Sequence, residues 1–351
     1  MSATATSQAG SRDPKVNRLG LEMNHYKGAA STLCAGCGHD SITNALIKAL
    51  FEMGVEPHLV AKLSGIGCSS KTTAYFLSRS HGFNAVHGRM GAIAAGVNLA
   101  NRALVNIGVS GDGDTASIGM GNFLHMVRRN VPIVYIIENN GCYGLTKGQF
   151  SATADKGSTS KGGAPNVMPP IDCCALAIEM GCGYVARSFS GDPKQLQALL
   201  KGALAHNGTA LLDVISPCVT FNDHEGSTKS YKYVRANKQA LHDIDFVPFF
   251  EEITVDYEPG TATTVEMHDG SKITLKKLDG DYDASDRWAA LKTCFEDAGN
   301  PIFYTGLLYL DESQPAMDEQ LDLPDEPLAT LPAERTRPSR EALAKVNAMF
   351  T

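Results

Sequence analysis

Gly111-Asp112-Gly113-Asp114 opens a run that closes at Asn139-Asn140, and what lies between decides the fold. Leu104–Val109, just ahead, reads as a strand. Ser117–Arg129 reads as a helix with Ile118, Met120, Phe123, Leu124 and Val127 apolar. Val131–Ile137 is a continuous apolar run, which suits a parallel strand buried on both faces. Asp112 and Asn140 then each sit at the C-terminal end of a strand, where open α/β folds bind ligands. Asp112 offers a carboxylate and Asn140 a neutral amide oxygen. Mg²⁺ takes oxygen ligands in octahedral geometry and shares them between protein and phosphate. Gly111 and Gly113 leave room for phosphates to approach the backbone. Either dipeptide alone marks only a turn; in this order and context they point to a diphosphate held through a divalent cation.

The same alternation runs outward in both directions. His39–Met53 reads as a helix with Ile42, Leu46, Leu50 and Met53 on one face. Downstream come a helix near Ile171–Met180, a strand near Gly183–Arg187, a helix near Pro193–His206 and a strand near Ala210–Ile215. The expectation is an α/β fold with a doubly wound parallel sheet. Asp155–Pro170 has no period and reads as a mobile loop beside the site. Past Glu225 the pattern changes. Thr261–Met267 and Lys272–Leu278 flank Asp269-Gly270, a hairpin signal, and Ala284–Asp297 and Ile302–Leu310 read as helix and strand. Asp311–Arg337 is acidic and Pro-rich, a composition suited to lying across a partner. The expected division is a loose extension over 1–25, a binding domain over 26–225 and a small α+β C-terminal extension over 226–351.

Composition narrows the function classes. A net charge of −7 over 351 residues argues against nucleic-acid binding. No apolar run approaches the length of a membrane span. Met1–Lys15 is polar and lacks an apolar core, so no secretory signal is read and a reducing cytoplasm is expected. Nine cysteines there suggest metal or core packing rather than disulfides. Cys34 and Cys37 form a C-x₂-C pair in a Gly-rich loop, and Cys68 and Cys218 are flanked by small or loop residues. Four such thiolates suit either an iron–sulfur cluster or a structural zinc, and residue types alone leave both open. Cys173, Cys174, Cys182 and Cys294 read as small apolar core residues.

Six stretches, in order and with matching spacings, carry a family resemblance. They are Leu33 to His39, Ser64 to Ser70, His87-Gly88-Arg89, Gly111 to Asp114, Asn139 to Gln149 and Ser216 to Asn222. Over roughly residues 30–235 the chain resembles the β subunit of the 2-oxoacid:ferredoxin oxidoreductases, and most of all the 2-oxoglutarate:ferredoxin oxidoreductase (2-oxoglutarate synthase) type. The resemblance implies a thiamine diphosphate-binding fold of the pyrophosphate-binding kind. Thiamine diphosphate and Mg²⁺ would be held by Asp112, Asn140 and the Cys142 carbonyl. Ile66, Gly67, Cys68, Ser69, His87, Gly111, Gly113, Asp114, Gly144, Leu145 and Thr146 would surround the cofactor. Cys34, Cys37, Cys68 and Cys218 would hold a [4Fe–4S] cluster. Lys147 and His87 are the catalytic candidates, with Lys71 a weaker one near the substrate. Asp223-His224-Glu225 reads as a surface turn.

The implied reaction is CoA-dependent oxidative decarboxylation of 2-oxoglutarate to succinyl-CoA and CO₂ with reduction of ferredoxin, or its reverse as a carboxylation. The bond-breaking chemistry belongs to the cofactor, and the cluster provides a one-electron exit. Thiamine enzymes also need a pyrimidine-binding module with an activating glutamate, and one alternating sheet leaves no length for it. An α subunit is therefore expected to supply it, in a dimer of heterodimers. Other readings stay open: pyruvate or broad 2-oxoacid use, a non-oxidative thiamine lyase with structural zinc, or a non-catalytic electron-transfer subunit.

Overall fold

The computed structural model describes residues 16–146, 148–158, 164–216, 218–219, 253–266, 272–296 and 302–350. The first two strands are β1 (Val60–Ser64) and β2 (His81–Asn84). Four longer ones follow: β3 (Val105–Gly111), β4 (Ile133–Asn139), β7 (Tyr184–Phe189) and β8 (Thr209–Ile215). These six pair in parallel, in the order β2-β1-β3-β4-β8-β7. β1, β7 and β8 are buried along their whole length, as expected for strands covered on both faces.

Helices cover both faces. On one side α1 (Gly38–Met53) and α5 (Pro193–Ala205) bury Ile42, Leu46, Leu196 and Leu200 against the sheet. Gly54 ends α1 in the left-handed conformation, at φ 58°. On the other side lie α2 (Met90–Ala100), α3 (Met120–Arg128), α4 (Cys173–Glu179) and α6 (Arg287–Glu296), packing Met90, Phe123, Cys173 and Ala290. This is the doubly wound architecture. From β1 the chain adds β2 on one side and then β3 on the other. The topological switch point therefore lies between the C-terminal ends of β1 and β3, where such sheets place ligands.

Several expectations need correction. The extension expected over 226–351 contributes, among the described residues, three strands to the same sheet. β11 (Ile302–Leu310) pairs antiparallel with β7, β10 (Lys272–Lys277) runs parallel to β11, and β9 (Ala262–Glu266) closes the edge antiparallel to β10. The expected boundary at 225/226 and the triplet Asp223-His224-Glu225 lie outside the described residues, as do the hairpin's Asp269-Gly270 and residues 1–15. Residues 16–25 are not loose. The Asn17 side chain donates to the Tyr26 hydroxyl (2.6 Å) and to the Phe51 carbonyl (3.1 Å), and Arg18 donates to Met53 O (2.8 Å). Tyr26, fully buried, anchors this segment on α1.

The start of the C-terminal tail is tied to the body by several bonds: Asn130 donates to Gln314 O (3.2 Å) and Pro315 O (3.0 Å), and Asn207 to Glu319 (2.8 Å). Arg102 pairs with Asp318 at 2.9 Å and Met317 is buried. Beyond it, α7 (Arg340–Asn347) buries no residue. Among the described residues no helix is long and apolar enough to cross a membrane.

Candidate active site

The switch point opens into a cleft continuous with solvent. Its walls are the Ile66–Ser69 loop after β1, His87, Gly111–Asp114 after β3, Asn140 and Cys142 after β4, and Gly144–Thr146. Every cofactor-contacting residue expected from the sequence lines this one cleft. His39, Glu138 and Tyr143 line it as well, and the sequence reading gives them no role. Lys147 lies outside the described residues.

The oxygen-bearing rim is built by β3, β4 and the short hairpin of β5 (Cys142–Tyr143) and β6 (Gln149–Phe150). Asp112 is 1% exposed. Burial pushes its carboxyl up, opposed by hydrogen bonds from Ser151, Thr153 and the Asn140 N–H. The Thr153 hydroxyl lies 2.6 Å from Asp112 Oδ2 and 3.0 Å from Asn139 Oδ1, and the Asn140 N–H reaches Asp112 Oδ1 at 3.4 Å. Asn140 Oδ1 accepts the Cys142 N–H at 3.1 Å, across Gly141 at φ 70°. The carboxylate, the amide and the turn that bears the Cys142 carbonyl are thus held together. A buried carboxylate disfavoured by desolvation is a group that a bound cation would stabilise. A set of one carboxylate, one amide oxygen and one backbone carbonyl suits a hard ion such as Mg²⁺.

The structure refines the roles of two residues in this rim. A Cβ on Gly113 would come within 2.6 Å of the Tyr143 ring, whose hydroxyl donates to Gly113 O at 2.9 Å. The space at Gly113 therefore admits a tyrosine, so the expected room for phosphate is partly filled. Gly113–Ile118 is a π-helical turn, and α3 starts only at Met120. Asp114 is committed inward: it accepts the Gly88 N–H (2.9 Å) and the Ser110 hydroxyl (3.0 Å), fixing the His87-Gly88-Arg89 turn on β3. His87 itself is exposed at the mouth of the cleft.

On the opposite side the Cys68 thiol lines the cleft, while Cys34, Cys37 and Cys218 are not among its lining residues. Cys68 precedes a 3₁₀ segment, Ser69–Ala74, and Cys37 immediately precedes α1. Burial pushes the Cys37 thiol well up, and the charges of Glu138 and Cys218 add to this. Burial is likewise the main cause for Cys68; Cys218 and Cys34 raise it further and Lys71 lowers it. Cys218 is therefore within electrostatic reach of both Cys37 and Cys68, and Cys34 of Cys68. Among the described residues, no three His, Cys, Asp or Glu side chains gather closely enough to grip a metal ion. Cys173, Cys174, Cys182 and Cys294 are buried in the core, as their sequence context implies.

Beneath both rims sits Glu138, with no exposed surface. The Thr72 hydroxyl lies 2.9 Å from its Oε1 and 3.1 Å from its Oε2, and His39 Nε2 is 3.6 Å from Oε2. Desolvation raises the Glu138 carboxyl well above its ordinary value and lowers the His39 imidazole to about 4. His39 Nδ1 meets the Ser216 hydroxyl at 2.6 Å.

Comparison with known proteins agrees with this geometry. Residues 65–214 match the family described as thiamine pyrophosphate enzyme, C-terminal TPP binding domain. The chain is 39% identical over 245 residues to a 2-oxoacid:ferredoxin oxidoreductase subunit beta from Sulfolobus sp, covering 70% of this chain and 76% of that one. It is 36% identical over 217 residues to the 2-oxoglutarate synthase subunit KorB of Methanocaldococcus jannaschii, covering 60% and 78%. Among solved structures, the 2-oxoglutarate:ferredoxin oxidoreductase from Magnetococcus marinus with 2-oxoglutarate, coenzyme A and succinyl-CoA bound superposes with a TM-score of 0.70 at 29% identity. That match covers 94% of this chain and 96% of that one. Switch-point cleft, thiamine-binding domain and extent of likeness together make this chain a member of the 2-oxoacid:ferredoxin oxidoreductase β-subunit family.

Proposed function

We propose that the chain, with an α subunit, carries out the CoA-dependent oxidative decarboxylation of 2-oxoglutarate to succinyl-CoA and CO₂ and passes the electrons to a ferredoxin. The observation that carries this reading is the shared cleft: the oxygen rim of Asp112, Asn140 and Cys142 faces the loop of Cys68. Asp112, Asn140 Oδ1 and the Cys142 carbonyl would hold Mg²⁺ against the diphosphate. Cys34, Cys37, Cys68 and Cys218 would hold a [4Fe–4S] cluster. When bound, thiamine diphosphate supplies the carbanion that attacks the 2-oxoacid, and the cluster supplies a one-electron exit.

The chain's own residues do the holding. The Thr153 hydroxyl and the Asn140 N–H orient the Asp112 carboxylate toward the cleft. Asp114 fixes the Gly88 turn, which presents His87 at the entrance. Lys147 is a candidate for meeting a CoA phosphate or the substrate carboxylate. The substrate assignment draws support from relatives named 2-oxoglutarate synthase and from the solved oxidoreductase with 2-oxoglutarate bound. The activating glutamate is assigned to the α subunit.

The test is co-expression with the α subunit and anaerobic assay of several 2-oxoacids with CoA and a viologen dye. The expected outcome is CoA-dependent dye reduction with 2-oxoglutarate preferred over pyruvate. Turnover without CoA or dye, releasing an aldehyde, would replace this reading with a non-oxidative decarboxylase.

A further inference from the structure

Four thiols on three separate segments can bind one cluster only if those segments keep a fixed spacing. We propose that Glu138 is a positioning residue that ties the three cysteine-bearing segments to the end of β4. The inference rests on the reading of Cys34, Cys37, Cys68 and Cys218 as cluster thiolates.

Each segment reaches the carboxylate through a named group. Thr72, in the 3₁₀ segment that follows Cys68, places its hydroxyl within 3.1 Å of both carboxylate oxygens. His39, in the first turn of α1 after Cys37, sets Nε2 at 3.6 Å from Oε2. The other nitrogen of that ring meets Ser216, just ahead of Cys218, at 2.6 Å. Thr72 hydrogen-bonds the carboxylate directly, and His39, in contact with it at 3.6 Å, hydrogen-bonds Ser216, so one carboxylate, one imidazole and two hydroxyls lie between the Cys34–Cys37 loop, the Cys68 loop and the Cys218 segment.

Close packing reinforces the tie. A Cβ on Gly38 would come within 2.7 Å of Ser216 Oγ and 2.5 Å of Ser190 Oγ, so the Cys37–His39 turn lies flush on the Ser216 strand end. Glu138 is also near enough to influence both Cys37 and Cys68 electrostatically. A carboxylate so deep in a strand is costly unless it is hydrogen-bonded. Groups that orient metal-binding loops from behind are a recurrent use for such a residue.

The test uses the assembled enzyme, purified anaerobically with its α subunit, as wild type, Thr72→Val, Thr72→Ser and Glu138→Ala. Iron content, the rate of iron release to a ferrous chelator, the electron paramagnetic resonance spectrum of the reduced cluster and thiamine diphosphate affinity are measured. Thr72→Val, isosteric but without the donor, is expected to release iron about tenfold faster with an altered spectrum, as typical for groups behind a metal ligand. Thr72→Ser is expected to restore wild-type release, and thiamine diphosphate affinity is expected to stay unchanged in both. Glu138→Ala is expected to lose most of its iron; if it fails to fold, the threonine pair still decides. Wild-type release and spectrum in Thr72→Val would overturn the positioning role while leaving the cluster standing. Absence of iron from the wild type would instead sink the thiolate reading beneath it.

Discussion

The two rims of the cleft are made in different ways. On the oxygen rim, Asp112, Asn139, Asn140 and Thr153 bond directly to one another over short distances. Asp112 and Asn140 follow adjacent parallel strands β3 and β4, whose register sets them side by side, and Thr153 follows β6. On the sulfur rim, the thiols sit in loops ahead of α1, after β1 and after β8. Between these segments lie His39, Thr72, Ser216 and Glu138. The lesson drawn from the proposal is that neighbouring strand ends hold the oxygen groups directly, whereas the proposed thiolate set, drawn from distant loops, depends on a buried polar tie. The rims should therefore fail separately.

Asp112→Ala should break the oxygen rim alone. Mg²⁺-dependent thiamine diphosphate affinity, measured by titration calorimetry on the assembled enzyme, is expected to fall by at least about 100-fold. That matches or exceeds the 10- to 100-fold typical of residues behind a ligand. Iron content should be unchanged. Concerted loss of iron would show that the rims are one cooperative unit.

Cys218→Ser is the converse. Cys218 is not among the residues lining the cleft, so its loss should spare cofactor affinity. Iron and viologen reduction should fall to background, because a serine hydroxyl does not replace a thiolate ligand. Paired iron analysis and thiamine diphosphate titration check both halves. A variant that keeps its iron would remove Cys218 from the ligand set.

Gly113→Ala tests how tightly the oxygen rim is packed. The added methyl meets the Tyr143 ring, and overpacking of this kind costs about 1–3 kcal/mol. The double variant Gly113→Ala/Tyr143→Ala should be less destabilised than the sum of its parts, since removing the ring removes the clash. Thermal unfolding of the four species gives the coupling; strict additivity would mean that the ring moves aside freely.

How much of this was legible in the sequence follows from the range of the forces involved. Ile302–Leu310 and Gly38–Met53 match their expected spans closely because apolar periodicity is local. The cofactor cleft was legible because its residues follow strand ends in chain order. β2 was not: His81–Asn84 is exposed throughout and carries no apolar run, and only pairing with β1 makes it a strand. The antiparallel docking of β11 on β7 was equally invisible, since strand partners distant in sequence leave no mark on local pattern. The late start of α3 reflects the π-turn that Asp114 and Thr115 anchor inward, to Ser110 and to the Tyr135 hydroxyl. Glu138 escaped because a charged residue at the end of an apolar run reads as the strand's exit to solvent. Its partners Thr72 and His39 lie far away in the chain.

The smallest effect concerns how the sulfur rim is supported from below. Lys62, in β1, is buried and donates to the carbonyls of Phe76 (2.8 Å) and Leu77 (3.0 Å), where Leu77 is held at φ 44°. It thereby fixes the end of the segment that starts at Cys68. Burial lowers its ammonium from 10.5 to about 8. Below pH 8 both folded and unfolded chains hold the proton, and Lys62 adds no pH dependence. Between 8 and 10.5 the unfolded chain holds it and the folded one does not, so rising pH favours the fold. The stability gap between wild type and Lys62→Met should therefore widen in favour of wild type by about 1.5 kcal/mol from pH 8 to 9.5, at about 1.4 kcal/mol per pH unit in the limit. Urea unfolding of the assembled enzyme at a series of pH values reads this directly. A gap that stays flat would mean that the two carbonyls keep Lys62 charged, making it a cationic clasp on the Cys68 segment instead of a neutral one.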